Sequence, residues 1–142
     1  MKSIVSILIA LFLLLPGCGK KGPPVPPRQS PVPSVSDLKY RIDGSLLTLT
    51  WTIPKEKEGE KTAFDGFILY RYKSPISNSP CKNCPKLFHK VADIKIDTFG
   101  NGIKNMKHRD EVEKGFAYTY KVILYTKNGA SGVDSNYVIF NY

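Results

Sequence analysis

The chain reads as an all-β protein: a single β-sandwich that follows an apolar amino-terminal segment and a proline-rich stretch. Three observations predict this. Leu47, Leu49 and Trp51 alternate with threonines, and Tyr118, Tyr120, Val122 and Leu124 alternate with Thr119, Lys121 and Ile123. Both patterns have the period of strands that bury one face. Between them, Phe64 to Tyr72 (FDGFILYRY) carries the aromatic and β-branched side chains that suit a pleated surface. After residue 18, no ten-residue stretch has helical periodicity. The chain has 142 residues. About 125 remain beyond the apolar segment, enough for one domain with a real core and too few for two.

Taken in order, the chain opens with Lys2 and an apolar run from Ile4 to Leu15, interrupted only by Ser6. The run is the length of a signal-peptide core and well short of the roughly 20 apolar residues a transmembrane helix needs. It ends in Leu15-Pro16-Gly17-Cys18, a small residue before a cysteine. This ending resembles the lipobox of bacterial lipoproteins. The resemblance implies that residues 1–17 are removed as a signal peptide and that Cys18 becomes the first residue. It also implies a diacylglycerol on the Cys18 sulfur and an acyl group on the new amine. Cysteine suits the role because its thiolate is the side-chain nucleophile best able to form a stable thioether. One acyl chain holds a protein only marginally, and each buried methylene adds roughly 0.8 kcal/mol, so three chains anchor firmly. Gly19 stands where the common inner-membrane retention signal of enterobacterial lipoproteins has aspartate. The expected location is therefore the outer membrane, with the protein facing the periplasm.

Residues 18–34 are expected to be the lipidated Cys18 and a linker, the linker lying within GKKGPPVPPRQSPVPSVS (19–36). Repeated prolines fix φ and remove amide donors, which rules out a sheet ladder or a helix. At about 3.1 Å per residue such a stalk reaches roughly 50 Å from the membrane. Cys18 to Pro23 (CGKKGP) also resembles the start of very small outer-membrane lipoproteins that associate with the lipopolysaccharide-export translocon. That likeness ends at Pro23.

The folded domain is expected over 35–142. Its first clear strand is Leu47 to Trp51, ended by Pro54. The loop Lys55 to Lys61 mixes both charge signs, and the second strand is Phe64 to Tyr72. A third, less regular strand spans Leu87 to Ile96. Tyr118 to Tyr125 is the strongest. Asn128-Gly129 then marks a turn, and Tyr137 to Tyr142 closes the domain. The expected core side chains are Leu47, Leu49, Trp51, Phe67, Leu69, Tyr118, Tyr120, Val122 and Leu124.

The order of Leu38, LTLTWTIP (47–54), DGFILYR (65–71), EKGFAYTYKV (113–122) and NGASGVDS (128–135) resembles a fibronectin type III domain. The family has a Trp-then-Pro near strand B, a Gly-aromatic start to strand C and a Gly-x-x-Tyr leading into strand F. Here the last of these is Gly115 to Tyr118. The resemblance implies that Tyr118 is a tyrosine corner, its ring buried and its hydroxyl bonded to backbone upstream. The region from Asp97 to His108, with Gly100 and Gly102, departs from the pattern and leaves strand E unplaced.

Function must come from sites, because this fold hosts many roles. Cys81-Lys82-Asn83-Cys84 is the clearest candidate. In an oxidising compartment, with Cys18 lipidated, these two thiols are expected to form a local disulfide between the second and third strands. The alternative is a thiol–disulfide enzyme using Cys81 and Cys84. A metal is not expected, since zinc needs about four ligands and only His89 lies near. Pro85 stands where a covalent haem site needs histidine. His89 and His108 lie on separate segments with no catalytic constellation and are expected on the surface. No cofactor and no catalytic residue is expected. The net charge of +9, or +8 without Lys2, favours anionic headgroups, lipopolysaccharide phosphates or an acidic partner over nucleic acid. The densest basic stretch after the linker is Lys104, Lys107, Arg109 and Lys114, expected as a solvated loop, with contact to phosphates on lipid or lipopolysaccharide as the alternative. The reading that results is a binding module for a protein partner in the cell envelope, held to the membrane through Cys18. Lipopolysaccharide or carbohydrate binding is the further alternative. Oligomeric state is left open.

Overall fold

The computed structural model describes residues 31–55, 63–77, 85–96 and 105–142. Among these the chain forms seven strands: β1 (Lys39–Asp43), β2 (Leu46–Thr52), β3 (Phe64–Pro75), β4 (His89–Lys95), β5 (Asn105–Glu111), β6 (Phe116–Thr126) and β7 (Val138–Asn141). They make two antiparallel sheets, β1-β2-β5 and β4-β3-β6-β7, packed face to face.

Two of these strands were not expected from the sequence. β1 (KYRID) and β5 (NMKHRDE) carry too few apolar residues to show a buried stripe. Their identity comes from β2, which pairs with both and places Thr48 between Arg41 and Arg109. The missing strand E is therefore Asn105–Glu111. Lys107 and Arg109, expected in a solvated loop, lie in a strand. His108, expected on the surface, is half-buried opposite Leu49. Tertiary pairing overrides weak local preference here.

The core sits between the sheets. Leu47, Leu49, Phe67, Leu69, Tyr120, Val122 and Leu124 are fully buried, and Trp51 and Tyr118 nearly so. Val35, Leu38, Phe64, Val112, Val138 and Phe140 complete it among the described residues. Among the described residues every core residue lies between Val35 and Phe140, so the core they form falls within residues 31–142. Trp51 meets Phe67 edge-on at 5.5 Å between ring centres. Phe140 stacks on Tyr118 at 5.4 Å and on Tyr40 at 4.8 Å, which closes the side of the sandwich where β1 and β7 lie.

Two glycines are required by geometry. A Cβ on Gly66 would stand 2.6 Å from the Ile94 carbonyl oxygen and 2.7 Å from the Tyr125 hydroxyl. Gly115 turns the chain into β6 with φ of 87°, a conformation side chains disfavour. Three residues on, the Tyr118 hydroxyl accepts a hydrogen bond from the Glu113 N–H at 2.9 Å. The Gly-x-x-Tyr spacing thus fixes the turn and then ties it.

One polar tie crosses the core. Arg71 on β3 and Tyr120 on β6 are register partners that face inward, and Asp110 on β5 lies opposite. Arg71 Nη1 lies 2.9 Å from Asp110 Oδ2, and the Tyr120 hydroxyl donates to the same oxygen at 2.8 Å. Burial and the neighbouring carboxylate push the Tyr120 phenol well above its usual range.

Candidate functional site at the outer face of the larger sheet

Alternation along β3 and β6 turns Ile68, Tyr70, Tyr72, Thr119, Lys121 and Ile123 away from the core, onto the outer face of the four-stranded sheet. The segment leading into β4 returns across that face. Lys86 Nζ donates to Thr119 Oγ1 at 3.1 Å, and the Phe88 ring stands 6.2 Å from Tyr72 and 6.0 Å from Tyr137. Lys121 Nζ lies 4.4 Å above Phe88 and 5.5 Å from the Tyr70 ring, with both Asp134 oxygens at 2.9 Å. The Tyr137 hydroxyl donates to Asp134 at 2.7 Å. Burial opposes ionisation of Asp134, but the bonds from Tyr137 and Lys121 prevail and hold its carboxyl below the usual range. Each cation here already has a partner. The cluster is a brace, and it explains why outward-facing Thr119 is buried.

Beside the brace lies a groove of about 260 Å³. Tyr72 and Thr119 line its floor, Ile76 and Lys86 one side, and Ile139 and Asn141 of β7 the other. Ile76 is 45% exposed and Ile139 62%. The backbone of β7 adds a second feature. Phe116 and Tyr142 exchange both backbone hydrogen bonds, so antiparallel alternation makes Tyr118–Phe140 the next bonded pair. The N–H and C=O groups of Ile139 and Asn141 therefore point away from β6, to the free edge. Among the described residues no strand pairs there.

The four sheet edges differ. β1 carries Lys39, Arg41 and Asp43. β4 carries Lys90, Asp93 and Lys95 and follows a register shift in β3 at Leu69/Tyr70. β5 carries Lys107, Arg109, Asp110 and Glu111. Charges and bulges of this kind keep an edge from pairing with another chain. β7 (VIFN) carries no charge. It is the one edge among the described strands without that protection.

The sequence-predicted sites fall as follows. Cys18, Cys81 and Cys84 lie outside the described residues. His89 is exposed at the start of β4, and His108 lies on the other sheet. Burial lowers the His108 pKa, with Asp110 pulling the other way. Among the described residues no three metal-ligating side chains come together. The groove residues Ile76 and Ile139 were missed, since isolated apolar residues near strand ends give no periodic signal. The uncharged β7 sequence was the available clue.

No protein-family model matches the chain, and no curated protein matches it. Solved structures do. The third fibronectin III domain of the human KIAA0343 protein superposes with a TM-score of 0.55 at 17% identity, covering 87% of this chain and 92% of that one. The fold is that of a fibronectin type III domain. The twitchin kinase region from C. elegans, which includes such a domain, aligns with a TM-score of 0.50 at 10% identity, over 77% of this chain and 17% of that one. At these identities the likeness is one of fold. In fibronectin type III terms β1, β2 and β5 are strands A, B and E, and β7 is strand G.

Proposed function

We propose that the chain is a lipid-anchored protein of the bacterial envelope whose fibronectin-type-III-like sandwich binds a protein partner by strand addition at β7. The observation that carries this is the uncharged, unpaired β7 edge bordering the groove of Tyr72, Ile76 and Ile139. In strand addition, backbone hydrogen bonds supply affinity and side-chain pockets supply specificity. β7 has only four residues, so the free groups of Ile139 and Asn141 orient the incoming strand and the groove selects its side chain. Lipopolysaccharide or carbohydrate binding calls for exposed aromatics beside available cations. The rings and lysines do meet on this face, but Lys121 is held by Asp134 and Lys86 by Thr119. A protein strand fits better.

Anchoring rests on Leu15 to Cys18, with the proline-rich stretch as the tether between the domain and the periplasmic face of an outer membrane. Cys18→Ser is expected to yield an unprocessed, unacylated chain by intact-mass measurement of the membrane fraction. A wild-type chain of mature mass without acyl groups contradicts anchoring.

Docking is tested by a photo-crosslinking amino acid at Ile139 in the full-length protein in cells. A discrete adduct is expected from Ile139 and none from Thr48 on the opposite sheet. Adding Ile76→Asp should reduce the Ile139 adduct about tenfold, as loss of a central apolar contact does. Adducts from Thr48 alone, or equally from both sites, contradict the proposal.

A further inference from the structure

The opposite face of the sandwich has a different chemistry. Leu47, Leu49 and Trp51 point into the core, so Thr48, Thr50 and Thr52 point outward from the centre of the β1-β2-β5 sheet. The register sets Lys39 and Lys107 on either side of Thr50, and Arg41 and Arg109 on either side of Thr48. Directly opposed residues share a face. Four cations separated in sequence by more than sixty residues therefore form two adjacent rows. From strand spacing and rise, their backbone positions fall within roughly 10 by 7 Å.

Among the described residues, none of these four cations forms an ion pair. The ion pairs there belong to Arg71, Lys73, Lys90, Lys95 and Lys121. The carboxylates on the face lie at its two ends. Asp43 and Glu111 flank exposed Leu46 in the row beyond Arg41 and Arg109. At the other end Asp37 is engaged by Thr52, whose N–H donates at 3.0 Å and whose hydroxyl donates at 2.5 Å. Positive charge is thus concentrated on the two middle rows, with small threonines between them.

We infer that this face docks on an anionic membrane surface, its Lys39, Arg41, Lys107 and Arg109 meeting lipid phosphates. Charge complementarity chooses the occupant. The two rows present no aromatic ring on which a base could stack, as single-stranded nucleic acid binding uses. A cleft lined by Asp37, Lys39, Thr50, Trp51, Thr52 and Asn105 lies toward the Thr52 end, and the centre of the face is threonine, without the apolar centre that marks a specific protein interface. The chain also enters the domain through β1, an edge strand of this same sheet, so a membrane-proximal amino terminus and this face are compatible. The inference does not depend on strand addition at β7. The two faces are opposite, and a domain lying on lipid through one leaves the other free.

The test is co-sedimentation of residues 31–142, which lack Cys18, with phosphatidylcholine vesicles with and without about one-third phosphatidylglycerol. Binding is expected only to the anionic vesicles and should disappear near 1 M salt, where the Debye length is roughly 3 Å. Lys107→Glu/Arg109→Glu should reduce partitioning at least about tenfold. The charge-matched control Lys114→Glu/Lys127→Glu, both in turns, should reduce it less than about threefold. Lys39→Gln/Lys107→Gln, a milder change, should also reduce it should the first variant fail to match the wild-type melting midpoint. Equal losses in the turn control, or capture by polyaspartate without vesicle binding, overturn the inference. Inorganic phosphate that competes as well as vesicles at equal phosphate would also overturn it, replacing a surface with a single-anion site.

Discussion

Trp51→Ala is expected to lower the unfolding free energy by about 3–5 kcal/mol, the usual cost of deleting a large buried aromatic. Trp51 is the largest of the fully buried side chains and meets Phe67 across the sheets. Its removal leaves a cavity between β2 and β3, whose surrounding strands are held by their own ladders and collapse only in part. Its indole N–H is buried without a hydrogen-bond partner among the described residues. Trp51→Phe should therefore cost far less, about 1–2 kcal/mol, since it forfeits volume but no bond. Urea melts of residues 31–142 give both values. A loss below about half a kcal/mol for Trp51→Ala contradicts the packing described.

The second large effect concerns charge. Asp110→Ala should cost about 2–3 kcal/mol, because it strands two partners. The Tyr120 hydroxyl is buried, and Arg71 keeps only part of its side chain in water. The double variant Arg71→Met/Asp110→Leu should recover much of that loss, since removing both members of a partly buried pair leaves no orphaned charge. Equal destabilisation by the single and double variants would show that Asp110 acts through strand pairing and not through the tie.

The two expectations also show what can be read from the sequence. Trp51, Leu49 and Leu47 stand out in LTLTWT because their alternation has only one strand-like solution. Tyr118 stands out because Gly115 prepares its turn. The fibronectin type III likeness followed from five short segments in order, although no segment alone would carry it. Asp110 was invisible. In NMKHRDE the inward positions are Met106, His108 and Asp110, so the buried stripe is more polar than apolar. Only the opposed Arg71 and Tyr120, far away in sequence, make a carboxylate tolerable there. The basic face was hidden for a similar reason. Lys107 and Arg109 read as loop residues until β2 brings Lys39 and Arg41 beside them. The β7 edge was half visible. Its lack of charge is a property of the sequence, but its being an edge is a property of the sheet.

The central claim is that β7 offers unpaired backbone to a partner strand, and amide hydrogen exchange reads that residue by residue. In free residues 31–142, the Phe140 amide faces Tyr118 and should be protected, while those of Ile139 and Asn141 should exchange rapidly. In the complex with the partner captured through Ile139, both fast amides should become slow and Phe140 should change little. Slow exchange at Ile139 and Asn141 in the free protein, or fast exchange that the partner leaves unaltered, contradicts strand addition at this edge.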